Sequence, residues 1–259
     1  TRVAAASASQ IDAGGNERPL LHGDNLHIVK RGHAPVRVLL TGHMDTVFPA
    51  DHGFQACRWL DADTLNGPGV ADMKGGIAVI KAALTALEAS PFGEAIGWEV
   101  ILNSDEEVSS PGSAPLLAEA ARRCHLGLTF EPALPDGTLA GARAGSGNFS
   151  AAIHGRAAHA GRNPADGRNA LLAAADLALQ LAALAGDDLS VNPAKIDGGG
   201  PNNVVPDNAV LRWNMRPGSA AAQMRAETGI NAAVAAVALA HDVHVHVHGR
   251  FARPPKPLD

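Results

Sequence analysis

Cysteine is scarce in this chain of 259 residues: Cys57 and Cys124 lie far apart and outside any CxxC spacing. That excludes a disulfide framework, a thiol redox motif and a zinc ribbon, and both read as small buried hydrophobes. No apolar stretch approaches the ~18 to 20 residues of a bilayer-spanning helix. No run of Lys or Arg exceeds two, and the net charge is -5. An integral membrane protein, a membrane-surface ligand and a nucleic-acid partner are therefore not expected. Neither GxxxxGK[ST] nor GxSxG occurs, which excludes a phosphate loop and a serine nucleophile elbow. The opening TRVAAASASQ has neither initiator Met nor a complete signal peptide; the cytoplasm is the expected compartment, with the periplasm as the alternative.

What is present is a soluble globular composition, 46% hydrophobic and 18% charged, long enough for one or two domains. The first half alternates strands and helices. Residues 36–41 (VRVLLT) form a continuous apolar run, as in a strand covered on both faces. Residues 73–89 carry apolar side chains at helical spacing and stop before Ser90-Pro91. Residues 98–103 (WEVILN) and 126–130 (LGLTF) read as strands flanking a helix over 113–123, and the alternation predicts a layered α/β sheet. From Gly145 the order becomes strand 148–154, helix 167–185, strands 190–196 and 209–216, helix 220–239 and strand 242–248. This β-α-β-β-α-β order is that of a ferredoxin-like sandwich able to stand as a second domain. The expected division is 1–144, 145–250, and a Pro-rich linker over 251–259.

Ligands of open α/β sheets bind beyond the carboxyl ends of the strands. After 36–41 comes Gly42-His43-Met44-Asp45-Thr46, after 98–103 Ser104-Asp105-Glu106-Glu107, and after 126–130 Glu131-Pro132, while NGPGVADMKGG places Asp72 just before a helix. Carboxylates gathered on one edge repel one another unless cations neutralise them, which is the physical reason to expect bound metal. Imidazole with carboxylate oxygens and no thiolate suits catalytic zinc, with cobalt or manganese as substitutes. One carboxylate can bridge two ions ~3.5 to 4 Å apart, and Asp72 is the natural bridge. Asp45 is placed to hydrogen-bond the His43 nitrogen turned away from metal. Glu106 and Glu107, adjacent at a strand end, can divide labour between base and ligand. Singly, each has a commonplace reading: a satisfied core histidine at His43, a solvated acidic turn at Glu106-Glu107, a helix cap at Asp72, a surface turn at Glu131. Their coincidence at strand ends favours a shared site. His244, His246 and His248 alternate on one strand face away from any carboxylate cluster and read as solvent-facing.

The segments LLTGHMDTVFP, NGPGVADMKGG, ILNSDEE and FEP together resemble the M20 metallopeptidase family, most closely its glutamate carboxypeptidase branch, related to acetylornithine and succinyl-diaminopimelate deacylases. The resemblance covers nearly the whole chain. It implies a layered α/β zinc-exopeptidase catalytic domain with an inserted ferredoxin-like lid, or dimerisation, domain. It also implies a pair of zinc ions, with His43 and Glu131 completing one, Glu107 the other and Asp72 bridging; Asp45 would orient His43, and Glu106 would be the general base. In the lid, His159 of GRAAHAG matches a histidine that stabilises the oxyanion. Asn203 (PNNVVP) and Arg216 (WNMRP) match positions that hold a substrate carboxylate, a role suited to the planar fork of Arg. The implied activity is hydrolysis of an amide bond next to a free carboxylate, releasing a C-terminal amino acid such as glutamate from a small peptide or deacylating an N-acyl amino acid, in a homodimer formed through the lid. The alternative is a non-catalytic metal-binding or dimerisation module. Family members begin with a helical segment and continue past the lid with a segment carrying the last metal-ligand histidine; neither is found here, so a truncated chain is expected.

Overall fold

The computed structural model describes residues 1–258, which divide into two compact units: residues 1–8 with 20–139, and residues 9–19 with 140 onward. In chain order the elements are β1 (Arg2–Val3), β2 (Ala8–Ile11), β3 (Glu17–Leu20), β4 (Asn25–Lys30), β5 (Val36–His43), β6 (Arg58–Trp59), β7 (Leu65–Asn66), α1 (Gly75–Glu88), β8 (Ile96–Asn103), α2 (Ala114–Arg123), β9 (Leu126–Thr129), β10 (Ser146–His154), α3 (Ala170–Ala182), β11 (Leu189–Gly198), β12 (Asn208–Pro217), α4 (Ala220–His241) and β13 (His244–Arg253).

The first unit is built on a sheet of order β1-β4-β8-β5-β9. Strand β5 is parallel to β8 and β9, with His43 opposite Asn103 and Thr41 opposite Thr129, so the three carboxyl ends lie side by side. Leu39 and Ile101 pack with Ala120 of α2, whereas Leu40 and Val100 pack with Ile80 of α1. Burial on both faces is why β5 and β8 are mostly apolar, broken by Arg37 near the start of β5 and by Glu99 in β8. Three features differ from the expectations drawn from sequence. The short strands β1 and β4 and the β6–β7 pair here, like the β2–β3 pair of the second unit, are additional; β4, the longest, leaves Ile28 and Val29 about half exposed, so it lacks a clean apolar face. The first helix starts at Gly75 rather than residue 73, because residues 70–74 form an irregular turn in which Asp72 and Met73 leave helical φ/ψ. Cys57 is exposed and Cys124 only half-buried, since Cys57 lies in a loop away from the sheet's core.

The second unit has sheet order β11-β12-β10-β13, antiparallel throughout, with the first and third strands of the β-α-β-β-α-β run neighbouring each other. Helices α3 and α4 contribute Leu177, Leu181 and Val237 to a core with Leu211 and Met215, in which Phe149 stacks on Trp213 at 5.3 Å. On the opposite face Ile11 packs on Ala152 and Val210, and Arg212 donates to the Ile11 carbonyl at 2.8 Å. Helix α3 is shorter than expected because Asn169 caps it, accepting from the Leu172 N–H at 3.0 Å. Strand β13 runs on to Arg253 beside β10. His244 and His246 are exposed, whereas His248 is half-buried with its Nε2 3.0 Å from Ser9 Oγ. Among the described residues no helix is long and apolar enough to cross a membrane.

One buried charge organises the first unit. Glu99 on β8 is 2% exposed; it accepts from Arg123 Nε at 3.2 Å and Nη2 at 2.9 Å, and lies 3.1 Å from His27 Nε2, joining α2, β8 and β4. The paired Arg123 guanidinium, against the opposing effect of burial and with help from His27, holds the Glu99 carboxyl below its ordinary value of 4.5. Glu99→Gln is expected to destabilise the protein by about 2 kcal/mol in urea unfolding. Because the folded carboxyl is the stronger acid, that contribution is present above pH 4.5 and fades as acid titrates the folded carboxyl, so the difference from wild type should shrink on acidification.

Candidate metal centre

His43 ends β5 with its side chain 1% exposed. Its Nδ1 lies 3.0 Å from the Asp45 carbonyl oxygen and 3.4 Å from the Asp45 carboxylate. A carbonyl only accepts, so Nδ1 donates to it, which leaves Nε2 as the nitrogen turned toward the carboxylates. Nε2 faces Asp72 Oδ1 at 3.0 Å and Glu131 Oε2 at 3.8 Å. Two groups of potential ligand atoms share this imidazole: His43, Asp72 and Glu107, and His43, Glu106 and Glu131, each with its atoms within 4.8 Å of one another.

Local backbone makes this convergence feasible. Asp72 is carried by the irregular turn that Gly69, at φ 70°, opens in the left-handed region. Gly76 lets the first turn of α1 lie against the end of β9, where a Cβ would run into the Phe130 carbonyl oxygen. That close approach brings the Asp72 turn beside Glu131. After β8 the chain enters a short 3-10 turn, Glu106–Val108, whose Glu106 and Glu107 N–H groups donate to the Asp45 carboxylate at 3.3 and 2.9 Å. Asp45 thus holds the imidazole mainly through its backbone carbonyl and the two glutamates through its side chain.

The electrostatics record the crowding. Burial first, then the charges of Glu106 and Asp72, push the Glu131 carboxyl up to about 7 despite the pull of His43. Burial and then Asp72 raise Glu107 as well. Burial disfavours a charged His43, but Asp72, Glu131 and Asp45 outweigh it, and the imidazole becomes more basic. One imidazole and four carboxylates without a thiol are the donor set of a borderline divalent metal such as zinc, cobalt or manganese, and a cation would remove the repulsion that raises these values.

The remaining residues singled out from sequence, His159, Asn203 and Arg216, belong to the second unit. His159 Nδ1 accepts from the Gly161 and Arg162 N–H groups at 3.1 and 3.2 Å, which places the ring proton on Nε2. The His159 and Asn203 segments run side by side: Ala160 N–H donates to the Asn203 carbonyl at 2.9 Å, and His159 pairs with Val204. Arg216 stands on β12 opposite Ser190, its Nε donating to Asn214 Oδ1 at 3.2 Å. Sequence reading assigns no role to Asp105 and Asn103, which are 1% and 3% exposed behind the Glu106–Glu107 turn; the sole signal is polar residues where an apolar strand ends.

Residues 141–242 match the family described as peptidase dimerisation domain. Carboxypeptidase G2 of Pseudomonas sp. (strain RS-16) is 35% identical over 202 residues, 76% of this chain and 48% of that protein. Succinyl-diaminopimelate desuccinylase of Gluconobacter oxydans (strain 621H) is 33% identical over 205 residues, 72% of this chain and 52% of that protein. The chain therefore spans about half the length of these curated relatives. A crystal structure of a tripeptidase from Staphylococcus aureus shares the fold, with TM-score 0.68 at 22% identity over 98% of this chain and 68% of that one.

A divalent cation that this donor set holds, with zinc as the probe, should stabilise the protein by about 2.7 kcal/mol when added at about a hundred times its dissociation constant. His43→Ala should abolish most of that gain, as read from the thermal midpoint with and without metal; an undiminished gain in the variant would place the binding elsewhere.

Proposed function

The chain is related to the M20 metallopeptidases and the deacylases among them, and on that premise we propose that the protein carrying it is a dizinc hydrolase. It would cleave an amide bond next to a free carboxylate, releasing a C-terminal amino acid such as glutamate or deacylating an N-acyl amino acid. The observation that carries this reading is His43 at the meeting point of two groups of carboxylates, within ligand distance of both.

His43, Asp72, Glu107 and Glu131 would hold the metal, with Asp72, 3.0 Å from Nε2, as the shared carboxylate. Bound zinc supplies Lewis acidity, lowering the pKa of water toward ~7 and polarising a carbonyl. Glu106 is the general base: its carboxylate accepts a proton from the attacking water and returns it to the departing amine nitrogen, so the catalyst ends the cycle unchanged. Asp45 keeps the Nδ1 proton of His43 in place and steadies the Glu106 and Glu107 backbone.

In the second unit, His159 with its proton on Nε2 is suited to donate to a developing oxyanion, while Asn203 and Arg216 are suited to a substrate carboxylate. The match of residues 141–242 to a peptidase dimerisation domain supports pairing of two copies through this unit. In this reading the first unit is the catalytic part and the second the lid, with the expected boundary near residue 144 drawn so that residues 9–19 group with the lid.

The test is hydrolysis by the zinc-loaded protein of peptides and N-acyl amino acids that differ in the released residue, comparing Glu, Asp, Orn and hydrophobic leaving groups. Glu106→Gln should lower kcat by about 10²- to 10⁴-fold while metal content stays at the wild-type level. A glutamine variant that turns over at the wild-type rate, or a metal-loaded wild type inert on every amide, overturns the assignment.

A further inference from the structure

Both Glu106 and Glu107 must leave the end of β8 in directions that reach His43, and their own three-residue turn is too short to enforce this. A buried polar brace stands immediately behind it. Asp105 Oδ2 accepts from the Gly112 N–H at 2.6 Å and the Ser113 N–H at 3.1 Å, and Oδ1 accepts from Asn103 Nδ2 at 3.3 Å. The same Asn103 amide nitrogen lies 3.2 Å from Ser110 Oγ and 3.0 Å from Ser113 Oγ, so its two hydrogens are shared among three acceptors. The Asp105 carbonyl accepts from the Ser110 N–H at 2.7 Å, and the Asn103 carbonyl from the Met44 N–H at 2.8 Å. Loop 105–113 is thereby closed on itself around one carboxylate, and tied to the residue between His43 and Asp45. Gly112 completes the fit, since a Cβ there would stand 2.9 Å from Ala5 Cβ and 3.2 Å from Asp105 Oδ2.

We propose that Asp105 is a positioning residue of the metal centre: by accepting these three hydrogen bonds it sets the direction in which the next two glutamates leave the strand. This rests on the roles proposed above for Glu106 and Glu107. A plain capping role ahead of α2 would also use the Gly112 and Ser113 N–H groups, but it would affect stability alone. Positioning affects what the glutamates hold, even in fully folded protein.

The experiment measures the zinc dissociation constant well below the unfolding transition, together with kcat and KM, for Asp105→Ala, Asp105→Asn and the destabilised control Glu99→Gln. Asp105→Ala should weaken zinc binding about 10- to 100-fold and lower kcat with little change in KM. Asp105→Asn keeps the shape and an acceptor for the two backbone donors, and should recover most of both. Glu99→Gln should lower the thermal midpoint and leave zinc affinity unchanged. If Asp105→Ala does not fold, Gly112→Ala, whose Cβ would crowd Ala5, His22 and the Asp105 carboxylate without removing that carboxylate, should weaken zinc binding in the same direction. Zinc affinity at the wild-type level in Asp105→Ala, or in Gly112→Ala when that variant stands in, reduces Asp105 to a cap and overturns the proposal. A metal-loaded wild type that hydrolyses no amide would instead defeat the functional reading, while the zinc arm still decides the positioning role.

Discussion

Four carboxylates crowd one buried imidazole where β5, β8 and β9 end, and the arrangement of the first unit depends on making that crowding tolerable. Two like charges 4 Å apart repel by ~1 kcal/mol in water and ~4 kcal/mol at the effective dielectric near a protein surface. Solvent relieves part of this, for the Asp72 side chain is 54% exposed and that of Glu131 37%. Exposure is not sufficient relief, because burial and its neighbours still push Glu131 up to about 7. Protonation would quiet the repulsion at the loss of a ligand; a divalent cation quiets it and keeps every donor, which is why the donor set makes better physical sense as a metal centre than as a solvated acidic patch.

The scaffold contributes convergence rather than chemistry. Parallel pairing puts His43 and Asn103 in register, so side chains separated by about sixty residues of chain emerge at one edge. Gly76 removes the one side-chain atom that would hold α1 away from β9. Asp45 links two of the converging segments directly, its carbonyl accepting from His43 Nδ1 and its carboxylate receiving the Glu106 and Glu107 backbone. Asp105 closes the loop behind them. Each of these is a short polar link in a place shielded from water, where a missing partner leaves a buried group unsatisfied and the geometry loosens.

The core strands are legible in the sequence because a strand buried on both faces announces itself: VRVLLT and WEVILN are mostly apolar, with Arg37 and Glu99 as the charged exceptions, and they lie in β5 and β8. The ferredoxin-like order of the second unit is legible for a related reason, alternating strands of regular length separated by long Ala- and Leu-rich helices. The N-terminal strands are not, since strands of two to six residues with no clean inside and outside carry little periodic signal. Nor is the packing of Ile11 onto Ala152 and Val210, a contact between residues far apart in the chain. At the site, the identities of the donors can be read from the residues just beyond each strand, whereas the orientation of the His43 ring, the divided role of Asp45 and the brace around Asp105 cannot.

The amino-acid sequence by itself determined the fold class and the chemical inventory, one imidazole and several carboxylates placed after strands, because local periodicity and residue type are properties of short segments. Only the tertiary structure decided which nitrogen of His43 faces the carboxylates, which of them share it, and how Asp105 and Gly112 hold the turn that presents two of them. Those outcomes are set by hydrogen bonds and van der Waals limits of a few tenths of an ångström between segments that meet only after folding.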